Sequence, residues 1–418
     1  MKILIYGINY APELTGVGKY TGEMAVWLYE QGHEVSVVTA PPYYPEWKVG
    51  HHYSAWSYKH EEMQNISVWR CPLYVPDSPT GLKRIIHLAS FSILSFPVMV
   101  GKLFWRPDVI LSIEPPLFCG PTAWMISRIC GAKCWLHIQD FEVDAAFELG
   151  ILSSARISYK VLQIERWLMN KFDIVSTISS QMITRLDTKS VKPEKQVLFP
   201  NWVDTALIYP VKSLNIFREQ LGILPTDIVF LYSGNMGEKQ GLEIIIEAAQ
   251  KLKGCKEVVF VMCGHGAAYR YLRSSADGLL NMHWLDLQPL GKLNDLLNMA
   301  DVHLLPQKAG AEDLVMPSKL TGMLSSGRPV LATANNNTQI AEVLSSSGMI
   351  VPPGDTTLFI NAILELAESG NLRKKLGESA RNYAIEHLGV EAVLSQFEKR
   401  LRECVAENTN LRTDGTPK

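Results

Sequence analysis

The feature that most constrains the fold is an alternation that runs through the chain twice. The short runs "KILIYGI", "HEVSVVTA", "ISVWRC", "DVILSI", "AKCWLHI", "DIVSTI" and "QVLF" occupy the first half, each followed by turn or helical sequence. From Asp227 a second series begins, with "DIVFLYSG", "EVVFVMCG", "MHWL", "DVHLLP", "PVLAT" and "GMIVP". Short β-branched runs alternating with helical periodicity are the pattern of βαβ units feeding parallel sheets. The two series predict an α/β chain of two doubly wound, Rossmann-like domains, 1–205 and 206–386, joined near "PNWVDTALIYPV". The length of 418 residues agrees, being too great for one core. In such sheets ligands gather beyond the carboxyl ends of the strands, so two facing domains place a cleft between two such edges.

Composition excludes several functions. A formal charge of −2 and the lack of any arginine-rich, aromatic-interleaved segment argue against a nucleic-acid partner. The opening "MKILIYGINYAPE" reads as a first strand rather than a signal peptide, which predicts a cytoplasmic protein. Seven scattered cysteines form no disulfide framework. Cys130, Cys134 and His137 have no second pair of metal-ligating residues beside them, and they sit on an apolar strand, so they read as core packing.

Local anion recognition is a different matter. In "LYSGNMGEKQGLE", residues 231–243, an apolar strand runs into a glycine-spaced turn that holds Lys239 and then resumes a helical pattern. Gly234, Gly237 and Gly241 let the backbone turn sharply, the following helix offers unpaired N–H groups, and Lys239 adds a full charge. The combination fits a phosphate; a helix cap with a solvated lysine is the plainer alternative. It is neither a Walker loop nor the dinucleotide fingerprint. The next strand ends in "VMCGHG", with Gly264 and Gly266, and "AEDLVMPSKLTGMLSSGRPVLAT" then places Pro317 where a helix can open on Ser318, Lys319 and Leu320. Three strand ends on one rim together point to a diphosphate-bearing ligand.

These segments, with "NYAPELTGVGKYTGEMAVWLYEQGHEVSVVT" and "PNWVD", resemble the family-4 retaining glycosyltransferases of GT-B fold, in the branch of colanic-acid fucosyltransferase-like and O-antigen polysaccharide enzymes. The likeness covers about residues 1–400. It implies that Gly234, Asn235, Gly237 and Lys239 bind the donor diphosphate, that Gly264 and Gly266 lie near the nucleoside, and that the segment from Glu312 through Ser318, Lys319 and Leu320 reaches the donor sugar and pyrophosphate. Gly16, Val17 and Gly18 would approach the donor from the first domain, and His137 resembles the family's cleft histidine. The family's pair of glutamates is incomplete: counting back from Gly327, the later one falls at Gly322, and Glu312 stands near but not at the place of the earlier one. The resemblance also implies that 387–404 is a helix crossing back toward the first domain. Its apolar face is Val390, Val393, Leu394, Phe397 and Leu401, and 405–418, lacking such a face, is expected to be a loose tail.

The implied reaction is attack of an acceptor hydroxyl on the anomeric carbon of a GDP- or UDP-sugar, with retention and without a cofactor. Lys239 and two helix N-termini would stabilise the departing diphosphate. No Asp-x-Asp motif is present, so metal independence is expected. His137 would hold a sugar hydroxyl or assist the acceptor, or else be a satisfied core histidine. A nucleotide-sugar epimerase of the same fold, or a non-catalytic donor-binding partner, are the alternatives. The acceptor-side candidates are Asp140 and the aromatic run at 41–58, chiefly Tyr43, Tyr44 and Trp47, whose rings suit sugar faces, a membrane interface or a flap closing on the protein itself. The apolar stretch "LKRIIHLASFSILSFPVMVGKLFWRPD" carries Lys83, Arg84, Lys102 and Arg106 at its ends. His87, Pro97 and Lys102 spoil it as a transmembrane span, leaving an in-plane helix on the inner leaflet or a core helix. A saccharide acceptor, lipid-linked, in cell-surface or exopolysaccharide synthesis completes the expectation.

Overall fold

The structure, a computed structural model, describes residues 1–14, 16–77, 81–148, 155–212, 215–237, 240–308, 317–336 and 338–413. The chain divides into two compact units. Unit 1 is Met1–Pro200 with Leu394–Lys418, and unit 2 is Asn201–Val393.

Unit 1 is built on β1 (Lys2–Tyr6), β2 (Glu34–Thr39), β3 (Lys59–Met63), β4 (Ile66–Arg70), β5 (Val109–Glu114), β6 (Lys133–Ile138), β7 (Ile174–Thr177) and β8 (Gln196–Leu198), in the order β3-β4-β2-β1-β5-β6-β7-β8. The central strands are buried beyond their first residues, as parallel strands covered by helices on both faces must be. Ile3 lies opposite both Val35 and Val109, which fixes β1 between β2 and β5. The strand absent from the sequence expectation is β3, "KHEEM", which pairs antiparallel with β4 across Gln64 and Asn65, both at positive φ. Because it forms an edge with no apolar face, it gives no hydrophobic period to read.

Unit 2 carries β9 (Ile228–Ser233), β10 (Val258–Cys263), β11 (Met282–Leu285), β12 (Val302–Leu305), β13 (Val330–Thr333) and β14 (Gly348–Val351), all parallel, in the order β11-β10-β9-β12-β13-β14. Counted from its own first strand this is the 3-2-1-4-5-6 order of a dinucleotide-type fold, whose switch point lies between β9 and β12. Phe230 stands opposite Phe260 and Val302 across three strands, and buried Leu242, Ile245 and Ala249 of the helix region after β9 pack onto the same core.

Two helices need comment. Val390–Thr413 starts in unit 2 and from Leu394 belongs to unit 1, where Phe397 stacks on Phe199 at 4.1 Å and meets Trp135 edge-on at 5.2 Å. The loose tail expected from 405 is corrected by the structure: the helix runs on to Thr413, because Cys404 continues the buried face of Phe397 and Leu401. Gly81–Trp105 is, among the described residues, the one helix long and apolar enough to cross a membrane, yet one face packs as a core helix does. His87, Leu88, Phe91, Ser95 and Met99 are buried, with Ser95 Oγ at 2.6 Å from Tyr6 Oη of β1. Leu82, Ile86, Ile93, Phe96 and Phe104 stay exposed on the outer face.

Candidate active site

The carboxyl edge of the unit 2 sheet brings together the turns after β9 and β10 and the start of the helix Ser318–Ser325. The first two are fastened to each other by backbone hydrogen bonds. Gly234 N donates to Cys263 O at 3.0 Å, Met236 N to His265 O at 2.8 Å, and Ala268 N to Met236 O at 2.9 Å. This close approach accounts for the glycines of "CGHG". Gly264 has φ +130° and a Cβ there would overlap the Gly234 carbonyl, while one at Gly266 would overlap the Met236 carbonyl. The spacing that suggested ligand contact is therefore used first for packing one turn on another.

The third element supplies the charge. Lys319 Nζ lies 4.3 Å from the centre of the Tyr232 ring, donates to Tyr232 Oη at 3.3 Å, and would be 3.8 Å from a Cβ at Gly234. Tyr232 Oη in turn donates to Asn235 O at 2.6 Å, so the lysine, the tyrosine and the glycine turn form one connected unit. Burial pushes the Tyr232 hydroxyl up, which keeps it a neutral donor. Pro317 opens the helix with no side chain capping it, and exposed Ser318 precedes Lys319. Leu320 is not a surface group: it is fully buried in the core beneath. Lys239 and Glu312, the other donor-site candidates of this unit, lie outside the described residues. At Gly237 a Cβ would come within 2.7 Å of Gln240 Oε1, the end of a flexible side chain that can turn away, so packing alone does not require a glycine there.

Gly322 supplies no ribose-binding carboxylate. It is buried, and a side chain there would start toward Leu297 and Ile208, 3.4 and 3.6 Å from its Cβ, in an apolar cluster.

In unit 1 the candidates divide. Gly16, exposed at φ +61°, begins the helix Gly16–Glu30 and faces the Tyr44 ring. Gly18 is buried, and a Cβ there would meet Glu13 Cβ at 2.8 Å. Glu13, which sequence reasoning missed, accepts from Tyr43 N at 3.1 Å, Tyr44 N at 3.0 Å and Asn9 Nδ2 at 2.9 Å, and so ties the aromatic connection to the glycine loop. Burial raises its carboxyl, against the pull of those N–H groups. Tyr43 and Trp47 turn inward around His87, with ring centres 4.7 and 5.1 Å from it, so the self-packing flap holds for them while Tyr44 stays exposed. Arg70, also missed, is buried and donates to Glu61, Ala40 O and Ala11 O, bracing the same rim. Its signal was legible: Ile66, Val68 and Arg70 share the inward face of β4.

His137 needs correction as a group open to substrate. It is 2% exposed, Nδ1 meets Ser176 Oγ at 2.9 Å and Nε2 meets Gln139 Nε2 at 2.9 Å, so both nitrogens have partners within unit 1. Burial lowers its pKa to about 3, and the ring is neutral. The structure shows the satisfied core histidine. Asp140, three residues on, is exposed at the end of β6. Glu114 ends β5 beside the β1/β5 switch point, fully buried, with neither carboxyl oxygen hydrogen-bonded. Burial, with Glu142 and Glu165 nearby, holds it well above the usual carboxylate range.

Comparison with known proteins fits this architecture. Residues 15–202 match the glycosyl transferase 4-like domain and residues 215–383 the glycosyl transferases group 1. Over 413 residues the chain is 44% identical to the putative colanic acid biosynthesis glycosyl transferase WcaI of Escherichia coli K12, covering 96% of this chain and all of the relative. Similar solved structures include sucrose-phosphate synthase of Thermosynechococcus elongatus, with a TM-score of 0.73 at 16% identity over 97% of this chain and 100% of that one. Another is Anabaena HepE in complex with UDP, with a TM-score of 0.70 at 16% identity over 96% of this chain and 100% of that one. The chain belongs to the glycosyl transferase 4-like family, glycosyltransferases of GT-B fold built from two Rossmann-like domains.

Proposed function

We propose that this glycosyltransferase moves a sugar, with retention, from a UDP- or GDP-sugar to a hydroxyl of a saccharide acceptor in the synthesis of a colanic-acid-type surface polysaccharide. The supporting observation is the Lys319 ammonium, braced by Tyr232 beside Gly234 at the carboxyl edge of β9. As the anomeric C–O bond breaks, charge grows on the diphosphate oxygen, and a pre-placed ammonium with the amides of an uncapped helix start stabilises it without reorganising. Lys239, between Gly237 and Gly241 in sequence, adds a second charge in this proposal. The relative's name supports the polymer class, and the bound UDP in HepE supports a nucleotide donor. Incubation with a panel of nucleotide sugars, with and without a lipid-linked acceptor, tests this. Acceptor-dependent release of nucleoside diphosphate supports it; sugar interconversion without acceptor would mark an epimerase, and no turnover a binding partner.

The same proposal includes a peripheral position on the cytoplasmic leaflet and a lipid-linked acceptor. Its support is the exposed outer face Leu82, Ile86, Ile93, Phe96 and Phe104, with exposed Lys83 and Arg106 at either end of the helix. Lys102 is not part of that surface: its Nζ donates to Ser36 Oγ at 2.7 Å, and burial lowers its pKa. Sedimentation with anionic vesicles at low salt and release at high salt tests the proposal; indifference to vesicles removes it and leaves the transferase reading intact.

A further inference from the structure

A cavity of about 1090 Å³ opens in unit 2 at the amino edge of the sheet, the edge opposite the glycine turns. Ile223 and Pro225 before β9, Asp301 before β12 and Pro329 before β13 line it. So do the basic side chains Lys212, Arg218, Arg328, Arg373, Lys374 and Arg381, against the acids Glu219, Asp301 and Glu378. Its volume is that of a small-molecule site.

Those charges are unequal in what they can still do. Arg218 is held by Met299 O, Asp227 O and Asp301 Oδ2, and Arg381 by Thr205 O, Ile208 O and Ser325. Asp301 also accepts from Val229 N, so its charge is already matched. Lys374 has only a 3.9 Å approach to Glu378 in the solvent, and Lys212 is exposed. Among the described residues Arg328 makes a single hydrogen bond, from Nη2 to Val211 O at 3.2 Å, and its Nε is buried with no acceptor. That Nε is closed to solvent, so a ligand in the cavity would draw on the rest of the guanidinium, whose fork suits phosphate oxygens.

We infer that this cavity binds a phosphate-bearing anion, held by Arg328, Lys212 and Lys374, at a site separate from the donor edge. The helix Ser318–Ser325 joins the two places. Lys319 stands in its first turn, Gly327 and Arg328 follow its last, and Arg381 holds its final carbonyl, so an anion drawing on Arg328 acts on the element that positions Lys319.

Calorimetric titration of the full chain with inorganic diphosphate, at low salt, tests the inference. One class of sites should survive Lys319→Ala and be weakened about tenfold or more by Lys212→Ala with Lys374→Ala, corresponding to about 1.4 kcal/mol. Arg328→Gln, checked for folding by circular dichroism, should weaken the same class, and the two lysine substitutions keep the test decisive if that variant unfolds. Loss of all diphosphate binding in Lys319→Ala, binding indifferent to the two lysine substitutions, or no binding by the unaltered protein would overturn it.

Discussion

Replacing Lys319 with alanine separates the chemistry of the donor edge from its stability. The substitution removes one pre-placed ammonium from beside Gly234, and deletion of a single such charge-stabilising donor lowers turnover by about 10²–10³, or roughly 3–4 kcal/mol of transition-state stabilisation. Among the folded-state contacts that go with it are the approach over the Tyr232 ring at 4.3 Å, worth about 1 kcal/mol at a half-buried site, and the 3.3 Å hydrogen bond to Tyr232 Oη, worth about 1 kcal/mol net. At about 2–4 °C per kcal/mol for a domain of this size, the loss of these two contacts should lower the melting temperature by about 4–8 °C. The assay is nucleoside diphosphate release under initial-rate conditions, with a thermal melt on the same preparation. A variant whose kcat/KM stays within about threefold of the unaltered enzyme, less than 1 kcal/mol, would remove Lys319 from the reacting charge and refute the assignment.

Gly264→Ala should destabilise unit 2 by at least about 1–3 kcal/mol and abolish donor binding, since a Cβ at φ +130° overlaps the Gly234 carbonyl; denaturant midpoints and nucleotide titration read both. Burial holds the folded carboxyl of Glu114 well above its unfolded value, so it contributes stability that is present below about pH 4.5 and lost as pH rises through the raised folded pKa. Glu114→Gln should accordingly gain on the unaltered protein by about 1.4 kcal/mol per pH unit above that point, while the folded carboxyl stays neutral, in urea melts at several pH values. His137 has the opposite sign: its folded pKa of about 3 lies below the unfolded value, so the stability linked to it is lost as pH falls through about 6.5 toward 3. His137→Gln removes that linkage, and its stability deficit should be about 2 kcal/mol smaller at pH 5 than at pH 7 in the same assay.

Most of the fold was legible because the strands of both sheets are apolar runs bounded by turns, and parallel order followed from the helical sequence between them. Polar β3 escaped, since it lies at the edge beside β4 and buries no face of its own. At the candidate site, the sequence displayed glycines and lysines but not their partners. Tyr232 read as one more apolar strand residue, although its hydroxyl joins Lys319 to the Asn235 carbonyl. Glu13 looked like a loop acid, and only the fold brings it under the Tyr43 and Tyr44 amides, 30 and 31 residues away. Counting along the helix from Gly327 places the family's later glutamate at Gly322, and only the fold shows that this position is buried beside Leu297. His137 carried two meanings in sequence, and the short contacts to Ser176 and Gln139 distinguish them.

The most direct measurement is a crystal structure of the full chain with bound UDP or GDP. The account predicts diphosphate oxygens within about 3 Å of Lys319 Nζ and over the Gly234 turn, at the carboxyl edge of β9 and β12. A diphosphate seated elsewhere, with Lys319 still resting on Tyr232 and no contact to the glycine turn, would contradict it.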